Sequence, residues 1–215
     1  MKFSDKQIST LRSKVRDRLS EKRFIHTLGV EEMTVKIGMA CLPERVDELR
    51  AAALLHDISK EYSEAEHLLL AKRHNITLTD EDLSAPALWH SITAAAVVID
   101  DFSEYASEDI LSAVSNHTVG SPDMSLFDSI ILLADYIEPG RKYEKCVTLR
   151  DSFLSELDAA KDKDSKILAL YRAVYISLDN NIEELLSRGR AFHSKTLATR
   201  DAIFAKAERH NNGNN

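Results

Sequence analysis

The chain has 215 residues, enough for one domain with a sizeable buried core. Its 6 glycines and 4 prolines fall well short of the roughly 25 that average usage would give, which disfavours sandwiches, barrels and disorder and favours long helices. With 28 Lys and Arg against 35 Asp and Glu the net charge is −7, which argues against a broad nucleic-acid surface, and two cysteines without a C-x-x-C pair exclude a disulfide framework.

Taken in chain order, the pattern is helical almost throughout. Residues 4–19 read as a charged amphipathic helix and 22–42 as a second, with Pro43 as punctuation. Residues 44–56 form a helix rich in small residues (Ala51, Ala52, Ala53), suited to close packing. The next, 63–74, opens on Ser63 with Glu66 three residues on, the capping-box pattern. Residues 75–86 are expected to be a connection, followed by helices over 87–99 and 107–117. Residues 118–123, with Gly120 and Pro122, read as a loop. A strongly apolar helix over 125–137 is stopped by Pro139-Gly140. Two more helices fall within 147–186 and a last one within 191–209.

No alternating pattern supports a strand, so the expected fold is all-α. Its expected parts are an N-terminal helix (1–19), a core (20–140), C-terminal helices packed on that core (141–210) and a disordered tail (211–215). No run approaches the roughly 18 apolar residues of a membrane span, and residues 1–19 are charged throughout, unlike a signal peptide. A cytoplasmic protein without membrane contacts is therefore expected.

Eight histidines stand out against one tryptophan and two cysteines. On the helix over 22–42, Phe24, Leu28, Val35, Met39 and Leu42 form one apolar stripe and Val30, Met33 and Ile37 a second. A helix apolar on two faces is usually buried between neighbours. His26 falls on the second stripe and, taken alone, reads as a core histidine bonded to a carbonyl. Asp135 follows Ile130, Ile131, Leu132, Leu133 and Ala134, where a carboxylate needs a cationic partner, either a buried arginine or a metal ion. His56-Asp57 ends the small-residue helix. His90 lies early in an Ala/Val-rich helix, and His117 closes the helix before the Gly/Pro loop.

Together these make four imidazoles and two carboxylates on separate helices or helix ends, enough for two metal ions with a shared ligand. The absence of thiolates suits iron, manganese or other ions that prefer nitrogen and oxygen. His67, His74, His193 and His210 sit in charged stretches and are expected to face solvent.

The ligand order resembles that of the HD-domain superfamily of metal-dependent phosphohydrolases, and the local motifs are similar to its YqeK-type branch, the symmetrical bis(5'-nucleosyl)-tetraphosphatases. Lys22-Arg23-Phe24-Ile25-His26-Thr27-Leu28-Gly29-Val30 resembles the opening motif. Ala51 to Lys60, with His56-Asp57 inside it, resembles the second. His117-Thr118-Val119-Gly120 and Ala134-Asp135-Tyr136-Ile137-Glu138-Pro139-Gly140-Arg141 complete the set. One departure is Ser91, where a glycine is expected beside the single histidine.

The resemblance implies an all-α fold, a di-metal centre that is often iron, and conversion of diadenosine tetraphosphate and water to two ADP. It assigns His26, His56, Asp57 and Asp135 to one ion, and Asp57, His90 and His117 to a second. A hydroxide held between the ions would attack phosphorus. Lys60 and Arg141 are expected to act with Asp57 in the catalytic site and also to contact phosphate. Arg23 is a further phosphate candidate or a helix-pairing arginine, and Thr118 caps its loop or bonds a phosphate oxygen. Alternatives are a phosphatase of nucleoside monophosphates or other small phosphate esters, and a di-iron oxygenase. The expected partner is a nucleotide substrate, not a nucleic acid, with a homodimer possible. Arg188, Arg190, Lys195, Arg200, Lys206 and Arg209 are read as a solvated face before a substrate or partner surface. Tyr171 and Tyr175 are read as core residues before a base-stacking pair.

Overall fold

The computed structural model describes residues 3–213, in which every regular element is helical. Ser4 opens α1 (Asp5–Arg16) with a capping box closed by Gln7, and Ile8, Leu11 and Val15 bury its apolar stripe. The long α2 (Glu21–Cys41) packs on α3 (Val46–Leu55), which is entered through a 3-10 turn at Pro43–Arg45. The expected capping box of α4 (Glu64–Arg73) is present between Ser63 and Glu66. Each such cap satisfies otherwise orphaned N–H groups, a contribution of about 1 kcal/mol.

The stretch expected as a bare connection over 75–86 contains a short helix, α5 (Asp80–Leu83). Thr79 caps it, and Asp82 reaches back to the Thr79 backbone. Next come α6 (Trp89–Asp101), α7 (Glu108–Asn116) capped by Ser107, and α8 (Leu126–Ile137) capped by Ser125 with Asp128. The last three are α9 (Glu144–Ala159), α10 (Lys163–Ser187) and α11 (Ser194–Gly213). Helix α11 continues to Gly213, within the stretch expected as a tail. Residues 1, 2, 214 and 215 of the two expected end segments lie outside the described residues.

The centre of the fold is α2, α3, α7 and α8. Here α2 touches α3 and α8, and α7 packs on both α3 and α8. Ala51 to Leu55 are wholly buried, and their small side chains let α3 approach its neighbours closely. The C-terminal helices cover this centre through α10, which meets α2, α8, α9 and α11, so one apolar core runs from Phe3 to Ala207. Among the described residues no helix is long and apolar enough to cross a membrane.

The two-sided burial expected of α2 is corrected. Val30, Met33 and Ile37 are buried, joined by Thr27, Thr34, Gly38 and Cys41. On the other stripe Met39 is 60% exposed, while Phe24, Leu28 and Leu42 are partly covered. Packing therefore favours the His26 side of the helix.

Candidate metal centre

The centre forms where helices end. α3 stops at Leu55, and the chain continues through tight turns closed by Ile58 N–H to Leu55 C=O, Lys60 N–H to Asp57 C=O and Tyr62 N–H to Ser59 C=O. This places His56, Asp57 and Lys60 at the end of a fully buried helix. His117 is the C-cap of α7, His90 lies in the first turn of α6, and His26 and Asp135 come from α2 and α8.

All six expected ligands converge. His26, His56 and Asp135 form one group whose donor atoms lie within 4.8 Å of one another, and Asp57, His90 and His117 form a second of the same size. Asp57 faces both. Its Oδ1 is 3.4 Å from His90 Nε2 and 3.5 Å from His117 Nε2, while Oδ2 is 3.7 Å from His56 Nε2 and 4.0 Å from His26 Nε2. Asp135 Oδ1 is 3.0 Å from His26 Nε2.

Hydrogen bonds on the outer edges of the rings set which nitrogen faces inward. His56 Nδ1 donates to Ala53 C=O at 2.7 Å, His90 Nδ1 to Ala87 C=O at 2.8 Å and His117 Nδ1 to Val114 C=O at 2.8 Å. Each ring then presents a bare Nε2 to the centre. The Nε2 atoms of His90 and His117 are 3.2 Å apart with their lone pairs toward each other. His56 Nε2 is buried and, among the described residues, has no hydrogen-bond partner. Such an array is costly unless a cation lies among the lone pairs, and imidazole with carboxylate is a donor set that suits a divalent transition metal.

For His56 and His90 the electrostatics agree with this account. Burial holds the His56 imidazole down at about 4 and that of His90 at about 2, so both are neutral donors at neutral pH. Burial also opposes charge on His26, but hydrogen bonds to Asp135 and Glu138 outweigh it and lift that ring to about 9. Asp57 would be raised by burial, yet His56, His117 and Lys60 hold it below the usual carboxylate range. Asp135 is likewise held low, against burial, by His26 and Arg141.

Three of the expected substrate contacts edge the same centre. Arg23 Nη1 is 3.4 Å from Asp57 Oδ2, Lys60 Nζ is 2.8 Å from His90 Nε2, and Arg141 Nη2 is 2.7 Å from Asp135 Oδ1. Thr118 shares a 2.7 Å hydrogen bond with the hydroxyl of Ser91, the residue standing where a glycine was expected. Ser91 therefore braces the loop after His117.

A cavity of about 810 Å³ leads away from His117, Thr118, Asp135 and Arg141. Its far wall is the connection between α10 and α11, with Arg188, Arg190 and Phe192. That connection is tied to α5 by His193 Nε2 on Asp82 Oδ1 at 3.1 Å and by Ser194 N–H on Glu81 Oε1 at 2.6 Å. The C-terminal cations therefore divide. Arg188 and Arg190 line the cavity, whereas Arg200 pairs with Asp179 and Lys206 caps Met124 C=O. Tyr171 is buried and Tyr175 packs near Phe204, both away from the cavity.

Two expected surface histidines are corrected, and a third, His74, is mostly covered beside Asp100. His67 is buried, with Nδ1 against the Thr93 hydroxyl at 2.8 Å, and His193 is a mostly covered strut. Charged neighbours in sequence hid both, because α4 turns His67 toward α6 and away from its own acidic face. The sequence also left Glu138 without a role. It is buried, and its Oε1 accepts from His26 Nδ1 at 3.1 Å. The signals for it were its place in the fourth motif and its position directly before the helix-stopping proline.

Comparison with known proteins gives concordant matches. A family model described as HD domain matches residues 23–140. The chain is 33% identical over 191 residues to the symmetrical bis(5'-nucleosyl)-tetraphosphatase of Bacillus subtilis, covering 86% of this chain and 91% of that protein. Identity to the protein of the same name from Halalkalibacterium halodurans is 29% over 190 residues, covering 88% and 93%. In three dimensions the chain is similar to an HD superfamily hydrolase of Clostridium acetobutylicum described as involved in NAD metabolism. The TM-score is 0.78 at 27% identity, and the match covers 96% of this chain and 100% of that one.

Proposed function

The chain belongs to the HD domain family, which implies divalent metal binding, and on that premise we propose that it hydrolyses dinucleoside tetraphosphates symmetrically, diadenosine tetraphosphate giving two ADP. The observation that carries this reading is the shared carboxylate. Asp57 turns one oxygen to His26 and His56 and the other to His90 and His117, the arrangement a two-ion phosphohydrolase needs.

In this reading His26, His56 and Asp135 hold one ion, His90 and His117 the other, and Asp57 bridges. Iron is the favoured ion because the resemblance to the HD family implies it, and imidazole and carboxylate donors without a thiolate suit iron, manganese or another such ion. Divalent ions supply Lewis acidity, neutralising phosphate charge and lowering the pKa of water.

The chain itself supplies orientation and charge. Backbone carbonyls hold three imidazoles with Nε2 inward, so the donors need no rearrangement. Arg141, three-fifths covered, offers a planar guanidinium beside Asp135 that can grip a phosphate bidentately. Lys60 and Arg23 bring two further cations to the Asp57 side. The cavity between Arg141 and Phe192 takes one nucleotide end, its apolar wall meeting the base and its arginines the phosphates.

The test is product analysis with diadenosine tetraphosphate and added Mn²⁺ or Fe²⁺. Two ADP per substrate supports the reading, whereas AMP with ATP, or no cleavage, overturns it. Orthophosphate released from a nucleoside monophosphate, with the tetraphosphate untouched, would move the chain to the phosphatase alternative.

A further inference from the structure

The fourth imidazole is held differently from the other three. His56 and His117 follow directly on helix ends, and His90 stands at the start of one, where the carbonyl three residues back can accept a ring N–H. His26 lies inside the regular α2, whose carbonyls already serve the helix. Its ring must be oriented by a side chain from elsewhere, and Glu138 supplies that bond from the end of α8.

The chain around Glu138 is shaped for this contact. Pro139 forces the preceding residue out of the helix, and Glu138 adopts φ −57° and ψ 153°. Its second carboxylate oxygen accepts the Gly140 N–H, and Arg150 Nη1 holds its carbonyl at 2.9 Å. Two glycines leave it room. A Cβ at Gly29, three residues after His26 on α2, would lie 2.5 Å from Glu138 Oε2, and one at Gly140 would lie 2.8 Å away. On the opposite side of the centre the Ala87 carbonyl backs His90, and among the described residues no carboxylate does. Instead the Lys60 ammonium lies 2.8 Å from its Nε2, in competition with any ion for that lone pair.

We infer that Glu138 is the positioning residue for His26, and that it makes the His26/His56/Asp135 position the tighter of two unequal metal sites. An anionic acceptor behind a ligating imidazole fixes its tautomer and strengthens it as a donor. This rests on the metal-centre reading above and adds an order of loading to it.

The test is calorimetric titration of the metal-free full-length protein with Mn²⁺, beside melting temperature. The wild type is expected to bind in two resolved steps. Glu138→Ala should weaken the first step by about 10–100-fold and leave the second in place. Glu138→Gln retains an acceptor for the His26 ring but not the charge, so its first step should fall between the two. Overturning results are a Glu138→Ala first step equal to wild type, or both steps weakened alike with a lowered metal-free melting temperature in Ala and Gln variants. Two equal steps in the wild type would overturn the inequality and leave the proposed function standing. A wild type that binds no Mn²⁺ would overturn both.

Discussion

Replacing Gly29 by alanine tests the centre without touching a ligand. The added methyl would lie 2.5 Å from Glu138 Oε2, where ordinary contact begins near 3.4 Å, so the carboxylate must withdraw by about 0.9 Å. The clash falls on Oε2, but Oε1 of the same carboxylate accepts from His26 Nδ1 at 3.1 Å, so a shift of that size stretches or misaligns a bond already near the end of the range of about 2.7–3.2 Å. The atom that moves is the tip of a flexible side chain, so the fold loses little. Alanine also favours the helix by about 1 kcal/mol over glycine, against about 1–3 kcal/mol for overpacking. The metal-free protein should therefore stay within about 2 kcal/mol of wild type, while hydrolysis of dinucleoside tetraphosphate and metal affinity fall about 10–100-fold. Gly38→Ala, on the same helix, is the matched control. Its methyl would meet Leu49 Cδ1 at 2.8 Å in the α2–α3 core, so it should change stability and spare metal affinity. Urea unfolding of metal-free protein, calorimetric metal titration and product chromatography read the three quantities. Unchanged metal affinity and turnover in Gly29→Ala would refute the reasoning that the carboxylate's position governs His26.

Asp57→Ala should reduce hydrolysis to background and lower bound metal measured by elemental analysis, with circular dichroism unchanged. Retained turnover without metal would defeat the proposed chemistry. Arg141→Ala should raise the KM for dinucleoside tetraphosphate by about 10–100-fold, the equivalent of one or two charge-assisted hydrogen bonds, with a smaller change in kcat. A KM equal to wild type would remove Arg141 from substrate binding. His67 gives a pH signature. Burial holds its folded imidazole below the ordinary 6.5, so the unfolded chain binds the proton more readily and stability is lost as pH falls below 6.5. His67→Gln should therefore unfold with a shallower pH dependence between about pH 5 and 6.5 than wild type, and parallel melting curves would contradict its burial as a neutral ring.

Much of this was legible along the chain because the signals are local. Scarce glycine and proline, three-four periodicity, and the box at Ser63 depend on residues a turn apart, and helices form from such neighbours. The six site residues could be selected because histidines and carboxylates beside apolar runs or at helix ends violate the surface pattern wherever the helices later pack. What remained hidden depends on pairs far apart in sequence. Glu138 meets His26 across 112 positions, and His193 meets Asp82 across 111, distances at which no periodicity carries information. His67 looked solvated in its charged helix until α6 covered it, and Met39 looked buried although it is 60% exposed.

By itself, then, the amino-acid order determined an all-helical chain and which imidazoles and carboxylates were out of place on its helices, since hydrogen bonding and side-chain spacing within a helix are short-range. Tertiary packing alone decided that Glu138 backs His26 and that the link between α10 and α11 walls the cavity. Those outcomes depend on which helix faces meet, and burial is settled only when the apolar surfaces of distant segments close on one another.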